Sequence, residues 1–196
     1  MDTISYYSKN SKAFYEATIN ADMGKIYESF LPLISKGGTI LDFGCGSGRD
    51  SKYFMSQGFD VVAIDGCNEM CILASRLLGK EVKKMLFHEL DSIATYDGIW
   101  ACASILHLKK SSLKDVFRKM ERALKKEGYI YTSFKYGDKE EYINERFYTF
   151  FTENSFKEFM KGVDNLVIKK IWTTYDSRKE FSNTKWLNVI LKKEVL

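Results

Sequence analysis

The apolar positions fall into two rhythms along the chain. Ile40, Leu41 and Phe43, and then Val61, Val62, Ala63 and Ile64, form short apolar runs bounded by glycine or aspartate. That is the pattern of strands buried on both faces. Between such runs, apolar residues recur at helical spacing, as in Leu113, Val116, Phe117, Met120 and Leu124. The spacing predicts helices over 11–18 and 22–30, the second closed by Pro32, then a strand over 39–43 and a glycine-rich turn. A helix follows, with Ser47 as its N-cap, Asp50 three residues on, and Gly58 as its stop. A strand over 60–64 leads to a helix capped by Asn68 that runs to Gly79. A weaker strand over 82–87 and a strand over 98–103 come next. Ser112 and Asp115 read as the capping box of the helix that Gly128 ends, and 129–134 is a fifth strand. A short helix capped by Thr152 then precedes strands over 166–172 and 186–191.

Strand–helix repeats of this length imply parallel strands joined by right-handed crossovers. The last two strands have no helix between them and can pair only antiparallel. The predicted fold class is therefore α/β, a Rossmann-like sheet with helices on both faces. Residues 1–196 read as a single domain: an N-terminal helical cap over 1–36, a ligand-binding core over 37–136, and a C-terminal helix with antiparallel strands over 137–196.

Composition narrows the function classes. With 45% hydrophobic and 29% charged residues the chain reads as a soluble globular protein. No apolar run approaches membrane-spanning length, and the first ten residues are polar, so no membrane partner and a cytoplasmic setting with reduced thiols are expected. The net charge of +4 is spread over lysine pairs rather than one block, which disfavours a nucleic-acid surface. Cys67 and Cys71 stand one helical turn apart, but no second Cys/His pair completes a tetrahedral set, so no metal site is expected. A monomer or a homodimer fits the sequence equally.

The candidate chemistry centres on Leu41-Asp42-Phe43-Gly44-Cys45-Gly46-Ser47-Gly48-Arg49-Asp50, between a strand and a helix. In α/β sheets ligands bind beyond the strand ends at such a turn. The spacing is Gly-x-Gly-x-Gly, not the Gly-x-Gly-x-x-Gly of dinucleotide sites. Asp42 beside it would repel a pyrophosphate but suits the ammonium group of a methionine moiety, directly or through water. Asp65 ends the second strand, where a carboxylate accepts hydrogen bonds from both ribose hydroxyls.

The motif around Gly44, together with Ala63-Ile64-Asp65-Gly66-Cys67, resembles motifs I and II of class I S-adenosylmethionine-dependent methyltransferases. Tyr96 to His107 resembles the fourth-strand motif of that family, and Leu124-Lys125-Lys126-Glu127-Gly128 its "LKPGG" turn, with Glu127 in place of the first glycine. The small tellurite-resistance-like members are the most similar in size. The resemblance implies a seven-stranded sheet of order 3-2-1-4-5-7-6, with S-adenosylmethionine as cofactor and S-adenosylhomocysteine as product. It implies cofactor-binding positions at Asp42, Gly44, Cys45, Gly46, Arg49, Asp65, Gly66 and Met70, with Phe87 and His88 beside adenine and Cys102 beneath the methionine part.

His107 follows the fourth strand and is the candidate general base, since imidazole titrates near neutrality; orienting a loop is its competing role. Tyr6, Tyr7 and Tyr15 could roof the cofactor or simply pack an N-terminal helix. Lys135 and Arg146 fall on the acceptor side, where an acidic acceptor or plain solvent exposure would each explain them. The expected reaction moves a methyl group to a small-molecule acceptor. No (Asp/Asn)-Pro-Pro-aromatic loop follows the fourth strand, which disfavours amino methylation of nucleic-acid bases. An RNA or protein methyltransferase, a non-catalytic S-adenosylmethionine-binding module and a nucleotide-dependent oxidoreductase are the competing readings.

Overall fold

A computed structural model describes residues 3–194. The chain runs through α1 (Thr3–Thr18), α2 (Gly24–Phe30), β1 (Thr39–Phe43), α3 (Arg49–Ser56), β2 (Asp60–Asp65), α4 (Asn68–Leu78), β3 (Lys83–Lys84) and β4 (Tyr96–Ala101). It continues with α5 (Lys110–Ala123), β5 (Leu124–Tyr136), β6 (Glu140–Ile143), β7 (Arg146–Phe151), α6 (Glu153–Met160), β8 (Leu166–Tyr175) and β9 (Lys185–Lys193). Among the described residues no helix is long and apolar enough to cross a membrane.

Strands β3, β2, β1, β4 and β5 lie side by side and parallel. Strand β9 pairs antiparallel with β5, and β8 antiparallel with β9. This is the expected strand order, with β9 and β8 as its last two members. The sheet exceeds the expected seven strands by the hairpin β6–β7. Strand β4 ends opposite Thr132, and β9 holds the other edge of β5 as far as Lys135. Strand β7 takes up the vacated edge in parallel, at Lys135–Phe150 and Tyr136–Phe151.

Side-chain alternation along the strands splits the core into two layers. Leu41, Phe43, Ile99, Ala101, Ile130 and Phe134 face one side, against Leu113, Val116, Phe117 and Met120 of α5 and Phe156 of α6. Ile40, Trp100, Tyr131 and Ile190 face the other, against Ile26, Tyr27 and Phe30 of α2 and Phe54 of α3. Trp100 stacks on Tyr131 with ring centres 4.1 Å apart. Both layers exclude water almost completely, which supplies the main stabilising term.

The helix starts differ from the sequence reading for identifiable reasons. Ser47 does not cap α3; Gly48 stands at its N-cap with a left-handed φ of 79°. A side chain there would meet Ala74 Cβ at 3.1 Å, so the turn leaves the helix start to glycine. Asn68 is the first residue of α4 rather than its cap, and the amide of Cys67 before it is taken by the Asp65 carboxylate at 2.8 Å. Helix α5 starts two residues before Ser112 and makes no capping box; Glu140 of β6 accepts from the Lys110 amide at 2.7 Å. Thr152 does cap α6, accepting from the Ser155 amide at 3.1 Å. Helix α1 is longer than the 11–18 stretch, and β3 shorter than 82–87.

The hairpin turns at Asn144 and Glu145, with φ of 48° and 65°. Two successive left-handed residues make the tight turn that matches strand twist, and its second position ordinarily falls to glycine. Replacing Glu145→Gly relieves a left-handed side chain and is expected to raise unfolding stability by about 0.5–1 kcal/mol in urea titration. A loss of stability would contradict this turn geometry.

Candidate functional site

A cavity of about 1180 Å³ opens at the C-terminal ends of β1, β2, β4 and β5. Its first wall is the turn after β1. Gly44, Gly46 and Gly48 all take positive φ, at 89°, 53° and 79°. Gly44 also passes so close to Ser104 that a Cβ would lie 2.6 Å from that side chain, so only a bare backbone fits. The amides of Gly44 and Cys45 both donate to the Ile64 carbonyl, at 3.0 and 2.9 Å.

Asp65 ends β2 beside this turn. One of its carboxylate oxygens accepts from the Gly46 amide at 2.9 Å, the other from the Cys67 amide at 2.8 Å. Burial raises its pKa, opposed by the backbone amides of Cys67, Gly46 and Gly66. A carboxylate has about four acceptor directions, so acceptor capacity remains for a ligand. Gly66, Met70, Phe87 and the exposed His88 continue this wall, with Phe87 tilted against Phe43 at 4.8 Å.

Asp42 lies outside the lining. Alternation turns it with Ile40 toward the α3 face, where Ser51 Oγ donates to it at 2.6 Å. It is 2% exposed. Burial and the nearby Asp50 charge raise its pKa, so its carboxyl favours the neutral form. Of the two pairings expected for Asp42, direct or through water, the direct contact with an ammonium group is absent from this geometry.

Asp50, read in the sequence only as part of a cap, is the carboxylate that does reach the cavity. It is buried and accepts four hydrogen bonds: Tyr27 Oη at 2.5 Å, Trp100 Nε1 at 2.8 Å, and Arg49 Nε and Nη2 at 2.6 and 3.0 Å. Burial works against its charge, but the Arg49 guanidinium and these donors outweigh it and hold its carboxyl below the ordinary range. Arg49 also donates to the Thr18 carbonyl at 3.3 Å, tying the end of α1 to the turn.

The far wall carries Cys102, Ser133 and His107. The Phe147 carbonyl can only accept, so His107 Nδ1 holds the proton in their 2.6 Å contact, and Nε2 accepts from Tyr7 Oη at 2.9 Å. Burial pushes the imidazole down to about 4, opposed by the Phe147 hydrogen bond and reinforced by the Arg146 and Lys135 charges. His107 is thus neutral at rest, with both nitrogens engaged. Burial likewise raises the Tyr7 phenol, against the Arg146 guanidinium beside it. Lys135 and Arg146 line this end; Tyr15 does not line the cavity.

The cavity so gathers every predicted site residue except Asp42 and Tyr15. It also recruits residues that sequence reasoning missed: Asp50, Tyr148, and the Asp176–Arg178 pair with Trp186. Arg146, Phe147 and Tyr148 arrive on the hairpin, whose turn lacks the usual glycine signal.

The chain carries the fold of solved S-adenosylmethionine-dependent methyltransferases. Residues 41–132, from β1 to the middle of β5, match the methyltransferase-domain family. The Bacillus subtilis (strain 168) protein YqeM, which bears a methyltransferase name, is 32% identical over 123 residues, covering 57% of this chain and 48% of YqeM. The chain thus spans about half the length of that curated relative. Among solved structures, the Burkholderia thailandensis 1,6-didemethyltoxoflavin-N1-methyltransferase, bound to 1,6-didemethyltoxoflavin and S-adenosylhomocysteine, superposes with a TM-score of 0.77 at 20% identity, covering 98% of this chain and 85% of that one. A TehB-like S-adenosylmethionine-dependent methyltransferase from Corynebacterium glutamicum gives 0.70 at 18% identity, with 97% and 98% covered.

Two outcomes test this electrostatic picture. The unfolded imidazole titrates near 6.5 and the folded one near 4, so protons bind the unfolded chain first. The His107 contribution to stability is full above pH 6.5 and is lost as pH falls toward 4, by up to about 3 kcal/mol. Denaturation of the wild type and His107→Gln across that window should show a shallower fall in the variant; equal slopes would contradict the assignment. Asp50→Ala strands the Arg49 cation in a partly buried site and is expected to cost about 3–5 kcal/mol in the same measurement. A cost under about 1 kcal/mol, the scale of an exposed ion pair, would be inconsistent with the network.

Proposed function

We propose that this chain is a methyltransferase that binds S-adenosylmethionine against β1 and β2 and passes its methyl group to a small-molecule acceptor at the β4–β5 end of the same cavity. The observation that carries the reading is Asp65: its carboxylate accepts from the Gly46 amide of the glycine turn and from the Cys67 amide ahead of α4, and it keeps acceptor capacity toward the cavity. That suits a ribose diol.

The residues present fit the cofactor. Asp65 would take the ribose hydroxyls, the bare backbone at Gly44 and Gly46 would let the amino-acid part approach, and Arg49 would face its carboxylate. The half-buried ring of Phe87 offers adenine a flat apolar surface. The volume of about 1180 Å³ exceeds that of an ordinary single-ligand pocket, which supports a second molecule beside the cofactor. The cationic groups Lys135, Arg146 and Arg178 turn into this cavity, which favours a small acceptor over an extended nucleic-acid surface.

When bound, S-adenosylmethionine supplies a methyl group on a positively charged sulfur, a leaving group already activated. The protein then has to align the acceptor and exclude water. Where the acceptor atom carries a proton, Tyr7 Oη accepts it while its own proton moves to His107 Nε2, along the 2.9 Å hydrogen bond between them. The Phe147 carbonyl holds the imidazole in the orientation this needs.

Calorimetry with S-adenosylhomocysteine and with NAD tests the reading. We expect S-adenosylhomocysteine to bind, NAD not to, and Asp65→Ala to weaken the former by roughly tenfold to a hundredfold. Binding of NAD in place of S-adenosylhomocysteine would overturn it.

A further inference from the structure

We propose that the methyl acceptor is a small aromatic acid whose carboxylate is held between Arg146 and Lys135. This rests on the methyltransferase reading of the same cavity and narrows it to one substrate class.

Arg146 opens β7 and Lys135 lies next to the end of β5, both on the cavity wall beyond His107. Among the described residues, neither forms an ion pair with a carboxylate. The two acidic side chains whose charge reaches Lys135 are Asp176 and Glu141. Each is already engaged by another cation, Asp176 by Arg178 at 2.8 Å and Glu141 by Lys139 at 2.7 Å. Lys135 and Arg146 rest instead on aromatic rings. Lys135 Nζ lies 4.4 Å from the Tyr148 ring centre, and Arg146 Cζ lies 4.5 Å from that of Tyr6 and 5.4 Å from that of Tyr148.

Two observations mark this as a place built for an anion. Arg146 Nε is buried and has no hydrogen-bond partner. Natural structures rarely leave such a donor unmet, because its lost hydration is not recovered. In addition, two cations share one half-buried wall, and burial first and the Arg146 charge second disfavour protonation of Lys135. An anion between them satisfies the donor and removes the repulsion.

The shape of the groups selects the anion. A guanidinium presents parallel N–H bonds that match the two oxygens of a carboxylate. The half-buried rings of Tyr6 and Trp186 line the same cavity, so an aromatic body fits better than a hydrated polyol. The methyl-accepting atom would then sit on the ring or its substituent, on the side of Tyr7 and His107.

The test uses protein saturated with S-adenosylhomocysteine and titrated in a calorimeter with matched pairs: benzoate against benzamide, and indole-3-carboxylate against indole-3-carboxamide. At least one acid should bind roughly tenfold or more tightly than its amide. Arg146→Met and Lys135→Met should each erase most of that preference while leaving S-adenosylhomocysteine affinity at the wild-type value, which also reports that the variants are folded. Acids no tighter than their amides in both pairs, or a preference that survives both substitutions, would overturn the proposal while the cofactor reading stands. Failure of the wild type to take up S-adenosylhomocysteine would overturn both.

Discussion

The Asp65 carboxylate is the constraint on which the site depends. It bonds the amide of Gly46 on one side and that of Cys67 on the other, so one side chain fixes the turn after β1 and the start of α4. The Ile64 carbonyl next to it takes the amides of Gly44 and Cys45. Together they hold a bend that only glycine can follow, with Gly44 pressed against Ser104. Burial works against a charge here, and the backbone donors oppose that. The same arrangement leaves acceptor directions open toward the cavity, so structural and ligand-binding roles fall to one group.

Strand alternation then sorts the acidic residues. Asp42 follows Ile40 to the α3 face and is sealed there with Ser51, while Asp50 collects Tyr27, Trp100 and Arg49 around itself. Only a carboxylate with several donors stays charged in such surroundings, and that is Asp50 rather than Asp42. The Asp50 network couples α2, α3 and β4, and through Arg49 it reaches the end of α1. The helical cap is thereby attached to the turn it covers.

The parallel half of the fold is written openly in the sequence. Apolar runs such as 60–64, glycine stops at Gly58 and Gly79, and the Gly-x-Gly-x-Gly turn each act locally, so local reasoning finds them. The acceptor side is written elsewhere. Arg146, Phe147 and Tyr148 reach the cavity because β7 adds to the edge of β5 that β4 leaves free, a pairing with no local mark. The hairpin behind it turns on Asn144 and Glu145 without the glycine that would advertise it. Asp42 misled for a related reason: its position in the motif is plain, but which way it points follows from the register of β1 against helices on both faces. The cap at Ser47 gives way to its neighbour Gly48, and the one at Ser112 to a longer-range partner, Glu140.

The central claim is that Asp65 reads a ribose diol at the tip of β2. A crystal structure of the chain with S-adenosylhomocysteine tests it most directly. The account predicts both ribose hydroxyls within hydrogen-bond distance of the Asp65 carboxylate, about 2.5–3.0 Å, with the Gly46 and Cys67 amides still bonded to it. A bound nucleoside whose sugar lies away from Asp65, or an Asp65 side chain turned out of the cavity, would contradict it.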